Sequence, residues 1–159
     1  MLVYCLYKSL YTTEPLSAEG PRRAGGRWNL KGYPILYTSA TTELALLEVL
    51  AHLKPAFIPA FHLLVLDVPD SFKAVSVTEL PNNWQTEQQD EFMQTYLADW
   101  LNHPDELIMA VPLVIVSRST NYLIHSLHPK VKEAVRIVEN KPFEVNSRLI
   151  KKVADKFCL

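Results

Sequence analysis

The sequence predicts an α+β fold in which helices pack on a mixed or antiparallel sheet, in a single domain over residues 1–159. Short runs of β-branched and aromatic residues occur without a helix after each one, so repeated βαβ units are not indicated. The chain has 159 residues, 48% of them apolar, which is enough for one hydrophobic core. It contains no internal repeat and no low-complexity linker.

Three short runs in the first half of the chain are typical of strands. They cover residues 2–7 (LVYCLY), 35–38 (ILYT) and 61–68 (FHLLVLDV), where β-branched, aromatic and other apolar residues predominate. Residues 8–34, between the first two runs, contain all the glycines of the chain and several prolines. We therefore expect a long irregular loop there with a short helical turn, and such a long loop in a compact domain is usually functional or disordered.

One helix is predicted over residues 41–53 (TTELALLEVLAHL). Either Thr41 or Ser39 can serve as its N-cap, and Pro55 helps to end it. Apolar residues cover nearly its whole circumference, which is typical of a buried helix. Because Glu48 lies in the middle of this helix, the pattern predicts a carboxylate at least partly removed from water.

The second half of the chain is predicted to hold one amphipathic helix and several short strands. Apolar residues recur with helical spacing over residues 88–102. Pro112 interrupts the β-rich run 107–116, which indicates a bulge, an edge or two short strands. The other predicted elements are strands at 72–77 and 121–124, a loop at 78–87, a short helix near 130–138 and an extended segment at 142–145.

Composition and charge disfavour several classes of protein. With 16 Lys+Arg against 17 Asp+Glu, the formal net charge is −1, which argues against a protein that coats nucleic acid or an anionic membrane. No apolar run approaches the roughly 18–20 residues needed to cross a bilayer, and the first residues lack the features of a signal peptide. Cys5 and Cys158 are too few and too distant for a disulfide framework or a zinc site. We expect a soluble cytoplasmic protein.

Glycine is confined to one segment of the chain. There are 4 glycines against 11 prolines, and all the glycines lie within residues 20–32. Gly25 and Gly26 allow backbone N–H groups to approach an anion closely, and Arg27 can make bidentate contacts to a phosphate. Trp28 follows directly and can stack on a ring. These residue types suit a nucleotide; the alternative is a tight turn with solvated arginines and Trp28 in the core.

Glu48 and Tyr37 are the next candidates for chemistry. A buried carboxylate is neutralised, pairs with a cation such as Arg27, or serves a ligand hydroxyl or a developing positive charge. Tyr37 lies on the strand that precedes the predicted helix, close in sequence to Glu48 and to the glycine segment. The 5 histidines show no spacing typical of metal ligands, so no metal is expected.

Four blocks of sequence, in their order and spacing, resemble the RES-domain family. They are GGRWN (25–29), GYPILYTS (32–39), ALLEVLAHL (45–53) and VP…NYLIHSLHP (111–129), and the resemblance extends over essentially the whole chain. Members of this family are toxins of bacterial toxin–antitoxin pairs whose antitoxin carries an Xre-like helix-turn-helix. The resemblance implies a cytoplasmic toxin with such an antitoxin as its partner, without membrane or direct nucleic-acid binding.

The resemblance also implies an activity. The family fold is similar to that of ADP-ribosyltransferase toxins, with a cleft for NAD+, and family members cleave the nicotinamide–ribose bond with water or phosphate. NAD+ is thus the implied substrate, and no metal is expected. The implied catalytic residues are Arg27 at the phosphates, Glu48 at the ribose cation and Tyr37 at the nicotinamide end. The implied binding residues are Gly25, Gly26, Arg27, Trp28, Tyr37 and Leu113.

Two positions depart from the family pattern. Leu113 stands where family members typically have the serine of a Val-Pro-Ser block, and His125–Ser126 stands where they have Asn-Pro. Replacing a hydroxyl by a branched apolar chain removes a hydrogen-bond partner and fills space. One alternative function is therefore a RES-fold protein with weakened or lost turnover that acts by binding a protein. A second alternative is mono-ADP-ribosylation of a protein target. A nucleic-acid-binding module using the arginines near the glycine pair is disfavoured by the near-neutral charge.

Overall fold

A seven-stranded sheet runs through the part of the chain that the structure describes. That part, in the computed structural model, is residues 1–53 and 58–149. The strands are β1 (Leu2–Lys8), β2 (Ile35–Ser39), β3 (Phe61–Asp67), β4 (Lys73–Ala74), β5 (Ile108–Pro112), β6 (Thr120–His125) and β7 (Arg136–Phe143). Their order is β4-β5-β6-β2-β1-β3-β7. Neighbouring strands are antiparallel except β4 and β5, which are parallel, so the predicted α+β fold with a mixed sheet is confirmed.

Short helices connect the strands. They are α1 (Glu19–Ala24), α2 (Thr42–His52), α3 (Asp90–Tyr96), α4 (Ala98–Asn102) and α5 (Val131–Ala134), with 3-10 turns at Ser9–Tyr11, Val77–Glu79 and Glu87–Gln89. The bounds of α2 confirm the helix predicted over residues 41–53. Its N-cap is Thr41, whose hydroxyl accepts a hydrogen bond from the Leu44 N–H at 3.3 Å, whereas Ser39 ends the preceding strand. The predicted stop at Pro55 lies outside the described residues.

The single helix predicted over residues 88–102 is wrong in one respect. The chain leaves the helical conformation at Leu97, where φ is −96° and ψ is 17°, and this residue separates α3 from α4. Met93, Leu97 and Trp100 are all buried in one cluster. Because the buried stripe continues across the break, the hydrophobic spacing could not reveal it.

The end of the described chain also differs from the prediction. The helix expected near 130–138 stops at Ala134, and residues 136–143 form β7 instead of a short extended segment at 142–145. Strand β7 pairs with β3 over its whole length and is mostly exposed. An edge strand without alternating apolar residues leaves no period-2 signal, because its side chains are not divided between a core face and a solvent face.

The strand predicted at 72–77 is reduced to the two residues of β4, which pair with Met109 and Ala110. The run 107–116 forms one strand that ends at Pro112. Since β4 does not extend as far as Pro112, no ladder hydrogen bond from that side is lost at the proline.

Two groups of helices cover the face of the sheet that carries Tyr37. Helix α2 packs on Leu6 of β1 and Val65 of β3, whereas α3 and α4 pack on Met109 of β5 and Leu123 of β6. In the strand order, β2 therefore lies between the two groups. The opposite face is covered by a third cluster of buried residues.

Helix α2 is less buried than its sequence predicted. Ala45 is its buried residue, whereas Leu47 is 41% exposed. The reason is that α2 lies on the outside of the sheet and packs through one side only, so the apolar residues on its other side face solvent. No helix in residues 1–53 or 58–149 is both long and apolar enough to cross a bilayer.

Candidate functional site

The glycine pair shapes a tight turn that presses on strand β2. Gly25 ends α1 with φ +76°, a conformation that favours glycine. A Cβ added at Gly26 would lie 2.5 Å from the Tyr37 hydroxyl oxygen and 2.9 Å from Asn29 Oδ1. Glycine is therefore required at position 26 because the backbone lies directly against Tyr37.

The N–H groups of this turn are used within the protein. Gly25 donates to the Pro21 carbonyl at 2.8 Å, and Gly26 donates to the Asn29 carbonyl at 2.9 Å. The two glycines thus hold the turn in shape, and the predicted use of their N–H groups as anion donors does not fit this arrangement.

Tyr37 is anchored through its hydroxyl. The hydroxyl donates to Asn29 Oδ1 at 2.7 Å and accepts from the Trp28 N–H at 3.0 Å. Burial raises the pKa of Tyr37 well above its ordinary value, and the nearby charge of Glu48 raises it further. Tyr37 therefore stays protonated, and its proton is already shared with Asn29.

Asn29 is the residue that the sequence interpretation missed. Its side chain is fully buried, and its NH2 group donates to the carbonyls of Leu30 at 2.9 Å and Tyr33 at 3.2 Å. Its oxygen accepts from Tyr37, so one amide ties the turn to the strand. The signal available in the sequence was the asparagine directly after Arg-Trp, because asparagine side chains often hydrogen-bond the backbone of a turn.

Arg27 points towards α3. Its Nη1 donates to Asp90 Oδ1 at 2.6 Å, its Nη2 donates to the Trp84 carbonyl, and its Nε is buried without a partner. The guanidinium also lies 5.9 Å from the centre of the Trp84 ring, a cation–π geometry. The side chain is 20% exposed. An ion pair between Arg27 and Glu48, one of the alternatives left open by the sequence, is not formed.

The other two arginines of the segment are surface residues. Arg22 and Arg23 both pair with Glu19 on the same short helix, at 2.7 Å and 2.5 Å. These two hydrogen bonds lower the pKa of Glu19 to about 2. For Arg22 and Arg23 the structure therefore supports the alternative of solvated arginines.

Two side chains expected to contact a ligand are buried in the core. Trp28 is 3% exposed and packs edge-on against Tyr96, with ring centres 6.3 Å apart. Leu113 is also buried, and its N–H donates to the Ser119 carbonyl at 3.0 Å. Neither side chain lines an open surface, and hydrophobic burial accounts for their places; that they contact a ligand stays a prediction.

Glu48 is half-buried on α2, and its carboxylate reaches strand β6. Its Oε1 accepts from Asn121 Nδ2 at 3.4 Å, and its Oε2 lies 3.9 Å from His52 Nε2. The side chain is 29% exposed. Burial raises the pKa of Glu48, and His52 and Asn121 oppose that rise. The predicted partly desolvated carboxylate is therefore present, although α2 is not a fully buried helix.

The structure brings Tyr37, Glu48 and the turn of residues 25–29 together. Tyr37 is hydrogen-bonded to the turn, and the charge of Glu48 acts on Tyr37. Arg27 directly precedes the N–H that binds Tyr37, but its side chain extends away to Asp90. The result is a protonated hydroxyl and a partly desolvated carboxylate, with the Arg27 guanidinium directed away from both towards Asp90.

A separate cavity of about 250 Å³ lies near strand β4. Arg27, Tyr37, Glu48 and Asn121 do not line it, although its lining includes Val111 and Pro112 of the fourth sequence block. Its lining includes Phe72, Val75, Ala110, Arg118 and Tyr122.

The described side chains offer neither a cluster of metal ligands nor a reactive thiol. In residues 1–53 and 58–149, no group of three or more His, Cys, Asp or Glu side chains could hold a metal ion. Burial raises the pKa of the Cys5 thiol to about 12, so its thiolate is scarce near neutral pH. Cys158 lies outside the described residues.

Comparison with known families assigns the chain. A model of the RES domain matches residues 3–146. The chain belongs to the RES-domain family. The resemblance carried by the four sequence blocks is thereby confirmed, and the match covers Arg27, Tyr37, Glu48 and Asn121.

Individual relatives of this RES-domain protein cover most of its length. It is 34% identical to a protein named Toxin Res from Pseudomonas putida, over 84% of this chain and 92% of that protein. It is 31% identical to a Prs ADP-ribosylating toxin from Sphingobium sp., over 89% and 91%. It is 27% identical to a Toxin Res from Photorhabdus laumondii, over 95% and 98%.

Proposed function

We propose that this RES-domain protein is a toxin that consumes NAD+ by cleaving the bond between nicotinamide and ribose, with water or phosphate as the acceptor. The observation that carries the proposal is the half-buried Glu48 carboxylate, which is hydrogen-bonded to Asn121 beside the strand that carries the anchored Tyr37. The names of the relatives, two Res toxins and an ADP-ribosylating toxin, support the same chemistry, because ADP-ribose is transferred from NAD+.

Arg27 is the proposed diphosphate-binding residue. A guanidinium carries five N–H donors, and in this structure Nη1 and Nη2 each make one protein contact while Nε is buried without a partner. An unpartnered buried donor is costly, and a phosphate oxygen would satisfy it with a charge-assisted hydrogen bond. The residues present therefore fit a diphosphate, and Arg27 can bind it while Asp90 fixes the other side of the guanidinium.

Glu48 is proposed to stabilise the ribose as the bond breaks. Nicotinamide leaves NAD+ with the electron pair of the bond and departs as a neutral molecule, so positive charge develops on the ribose. A fixed carboxylate that is partly removed from water stabilises this charge more strongly than a solvated one. Water or phosphate then forms the new bond to the ribose carbon, and water loses a proton to the solvent.

Tyr37 is proposed to position the nicotinamide end of the substrate. Because the leaving group departs neutral, the reaction does not need an acid at this position. That agrees with a hydroxyl whose proton is held by Asn29 and whose pKa is raised. The ring of Tyr37 thus acts as a fixed surface, not as a proton donor.

The proposed setting follows from family membership. We assign the activity to one RES domain spanning residues 1–159, acting in the cytoplasm and neutralised by an antitoxin with an Xre-like helix-turn-helix. Purification together with the protein encoded by the adjacent reading frame tests the partner. Failure of the two proteins to form a complex would contradict it.

The test of the activity is nicotinamide release from NAD+ by the purified chain, with and without phosphate. We expect release by the wild-type protein and a loss of at least about 100-fold in Glu48→Gln. Glu43→Gln is the matched control, since Glu43 is an exposed glutamate in the first turn of the same helix. Absence of release by the wild-type protein would contradict the proposal, and equal rates in the two variants would contradict the role of Glu48.

Two alternatives have a specific observation in their favour. By the family resemblance, Leu113 stands at the position of a typical serine, which favours a protein with weak turnover that acts by binding; in that case the wild-type protein would release almost no nicotinamide and Leu113→Ser would raise the rate. The Sphingobium relative is named for ADP-ribosylation. Transfer of labelled ADP-ribose from NAD+ to a protein in a lysate, instead of nicotinamide release alone, would support that alternative.

A further inference from the structure

We infer that Asn121 and Ser39 are positioning residues that hold the Glu48 carboxylate in place through a relay of two hydrogen bonds. Ser39 Oγ donates to Asn121 Oδ1 at 2.8 Å, and Asn121 Nδ2 donates to Glu48 Oε1 at 3.4 Å. The relay connects the middle of the sheet to α2. The inference rests on the proposed function for its catalytic consequence, but the contacts exist independently of it.

The donor and acceptor roles in the relay follow from the chemistry of the Glu48 carboxylate at its end. An ionised carboxylate only accepts hydrogen bonds, so Asn121 must turn its NH2 group towards Glu48. Its oxygen then faces Ser39, and the Ser39 hydroxyl must donate. The arrangement therefore favours the ionised form of Glu48 and opposes the effect of burial, in agreement with the lowering contribution of Asn121 to the pKa of Glu48.

The two inner residues of the relay are rigidly held. Ser39 and Asn121 are direct cross-strand partners on β2 and β6, and Asn121 also pairs with Val111 on β5. Both side chains are buried, with Asn121 7% exposed. Glu48, in contrast, is on a helix that packs through one side only. The buried Asn121 amide in the sheet thus fixes the position of the partly exposed Glu48 carboxylate.

The other groups near Glu48 do not replace this contact. His52 on α2 lies 3.9 Å away and is 81% exposed. Tyr37 on β2 has its hydroxyl hydrogen on Asn29. Among the residues that the structure describes, Asn121 supplies the only side-chain hydrogen bond to Glu48. His52 on α2 and the protonated Tyr37 on β2 are the titratable groups that act on, or are acted on by, the charge of Glu48.

The activity test compares Asn121→Ala and Ser39→Ala with the wild-type protein over a pH series. We expect kcat of Asn121→Ala to fall by roughly 10- to 100-fold with KM changed much less, because a displaced group loses transition-state contacts first. The acid limb of the profile should move to higher pH, and Ser39→Ala should move it in the same direction by less. Asn140→Ala, an exposed asparagine on edge strand β7, is the control. Repeating the series in His52→Gln removes the imidazole that lies 3.9 Å from Glu48 on the same helix.

A second measurement does not depend on activity. The difference in unfolding free energy between a protein and its Glu48→Gln form, followed with pH, reports the pKa of Glu48. In the Asn121→Ala and Ser39→Ala backgrounds this difference should begin at the same pH as in the wild-type background but continue to grow to higher pH, because only the folded-state pKa of Glu48 is raised. If neither folded variant shifts the pH dependence of this stability difference or the acid limb of the activity profile, the inference is wrong. If the stability difference shifts while neither the wild-type protein nor any variant releases nicotinamide, the positioning holds and the proposed function fails.

Discussion

The backbone at Gly26 packs directly against the hydroxyl of Tyr37, so closely that a Cβ at position 26 would lie 2.5 Å from the hydroxyl oxygen. This contact explains why position 26 requires glycine. The turn of residues 25–29 is held to strand β2 by hydrogen bonds from and to Tyr37, and glycine leaves room for them. Four predictions follow from this and from the other buried polar groups.

Gly26→Ala should destabilise the protein by about 1–3 kcal/mol, because the added methyl group forces the turn away from Tyr37. Gly20→Ala is the matched control: it lies in α1, and its Cβ would meet Tyr11 at an ordinary 3.5 Å. There alanine should be neutral or stabilise by up to about 1 kcal/mol. Urea unfolding measures both variants. Equal effects at the two positions would contradict the close packing at Gly26.

Tyr37→Phe should destabilise the protein by about 1–3 kcal/mol. It leaves the Asn29 oxygen and the Trp28 N–H without a partner in a buried place. Tyr33→Phe is the control, since its hydroxyl bonds an exposed asparagine, Asn102. We expect that change to stay within about 0.5 kcal/mol in the same unfolding experiment. A stability of Tyr37→Phe equal to that of the wild-type protein would mean that the hydroxyl does not anchor the turn.

Glu48→Gln should stabilise the protein at neutral pH while it removes activity. Burial raises the pKa of Glu48 in the folded state above its unfolded value of about 4.5. The folded state then binds more protons in that window, so the stability contribution of Glu48 is lost as the pH rises from about 4.5 through the raised pKa. Thermal unfolding from pH 4 to pH 8 should show the variant gaining on the wild-type protein, with no difference at the acid end. A constant difference at all pH values would contradict the raised pKa.

His125 should make the protein sensitive to mild acid. Its Nε2 lies 3.0 Å from the Leu101 carbonyl, so this nitrogen carries the proton, and its buried Nδ1 has no partner. Burial lowers the pKa of His125 below about 6.5. The unfolded chain then binds the extra proton first, so stability should fall as the pH drops below about 6.5 towards the lowered pKa.

The check on His125 is the unfolding free energy of His125→Gln between pH 5 and 8. Glutamine places its amide nitrogen near the position of Nε2, so it can keep the contact with the Leu101 carbonyl without titrating. We expect a flatter pH dependence for this variant than for the wild-type protein. His103→Asn, which changes an exposed histidine at the end of α4, is the control.

Much of the fold could be predicted from local patterns. The β-branched runs gave strands β1, β2 and β3, and Thr41 together with the run after it gave helix α2. Strand β7 and the break at Leu97 could not be found in this way. The pairing of β7 depends on the edge of β3, which is remote in sequence, and the apolar spacing continues unchanged through Leu97.

Part of the candidate site could also be predicted. Tyr37 and Glu48 are near in sequence, and the structure places them near each other in space. Trp28 and Leu113 were expected at a ligand, but they are buried in the core. Residue type alone does not separate a buried aromatic from an exposed one, since both interiors and binding sites use aromatic rings.

The sequence by itself determined the fold class and the family and pointed to Tyr37 and Glu48 as candidate site residues, because these depend on periodicity and on blocks of neighbouring residues. The tertiary structure decided which groups surround them. It paired Arg27 with Asp90, 63 residues away, tied Glu48 to Asn121 and Ser39, and used Asn29 to anchor Tyr37. These hydrogen bonds join strands and helices that are distant in sequence, and a buried polar group finds its partner only when the packed elements bring the two together.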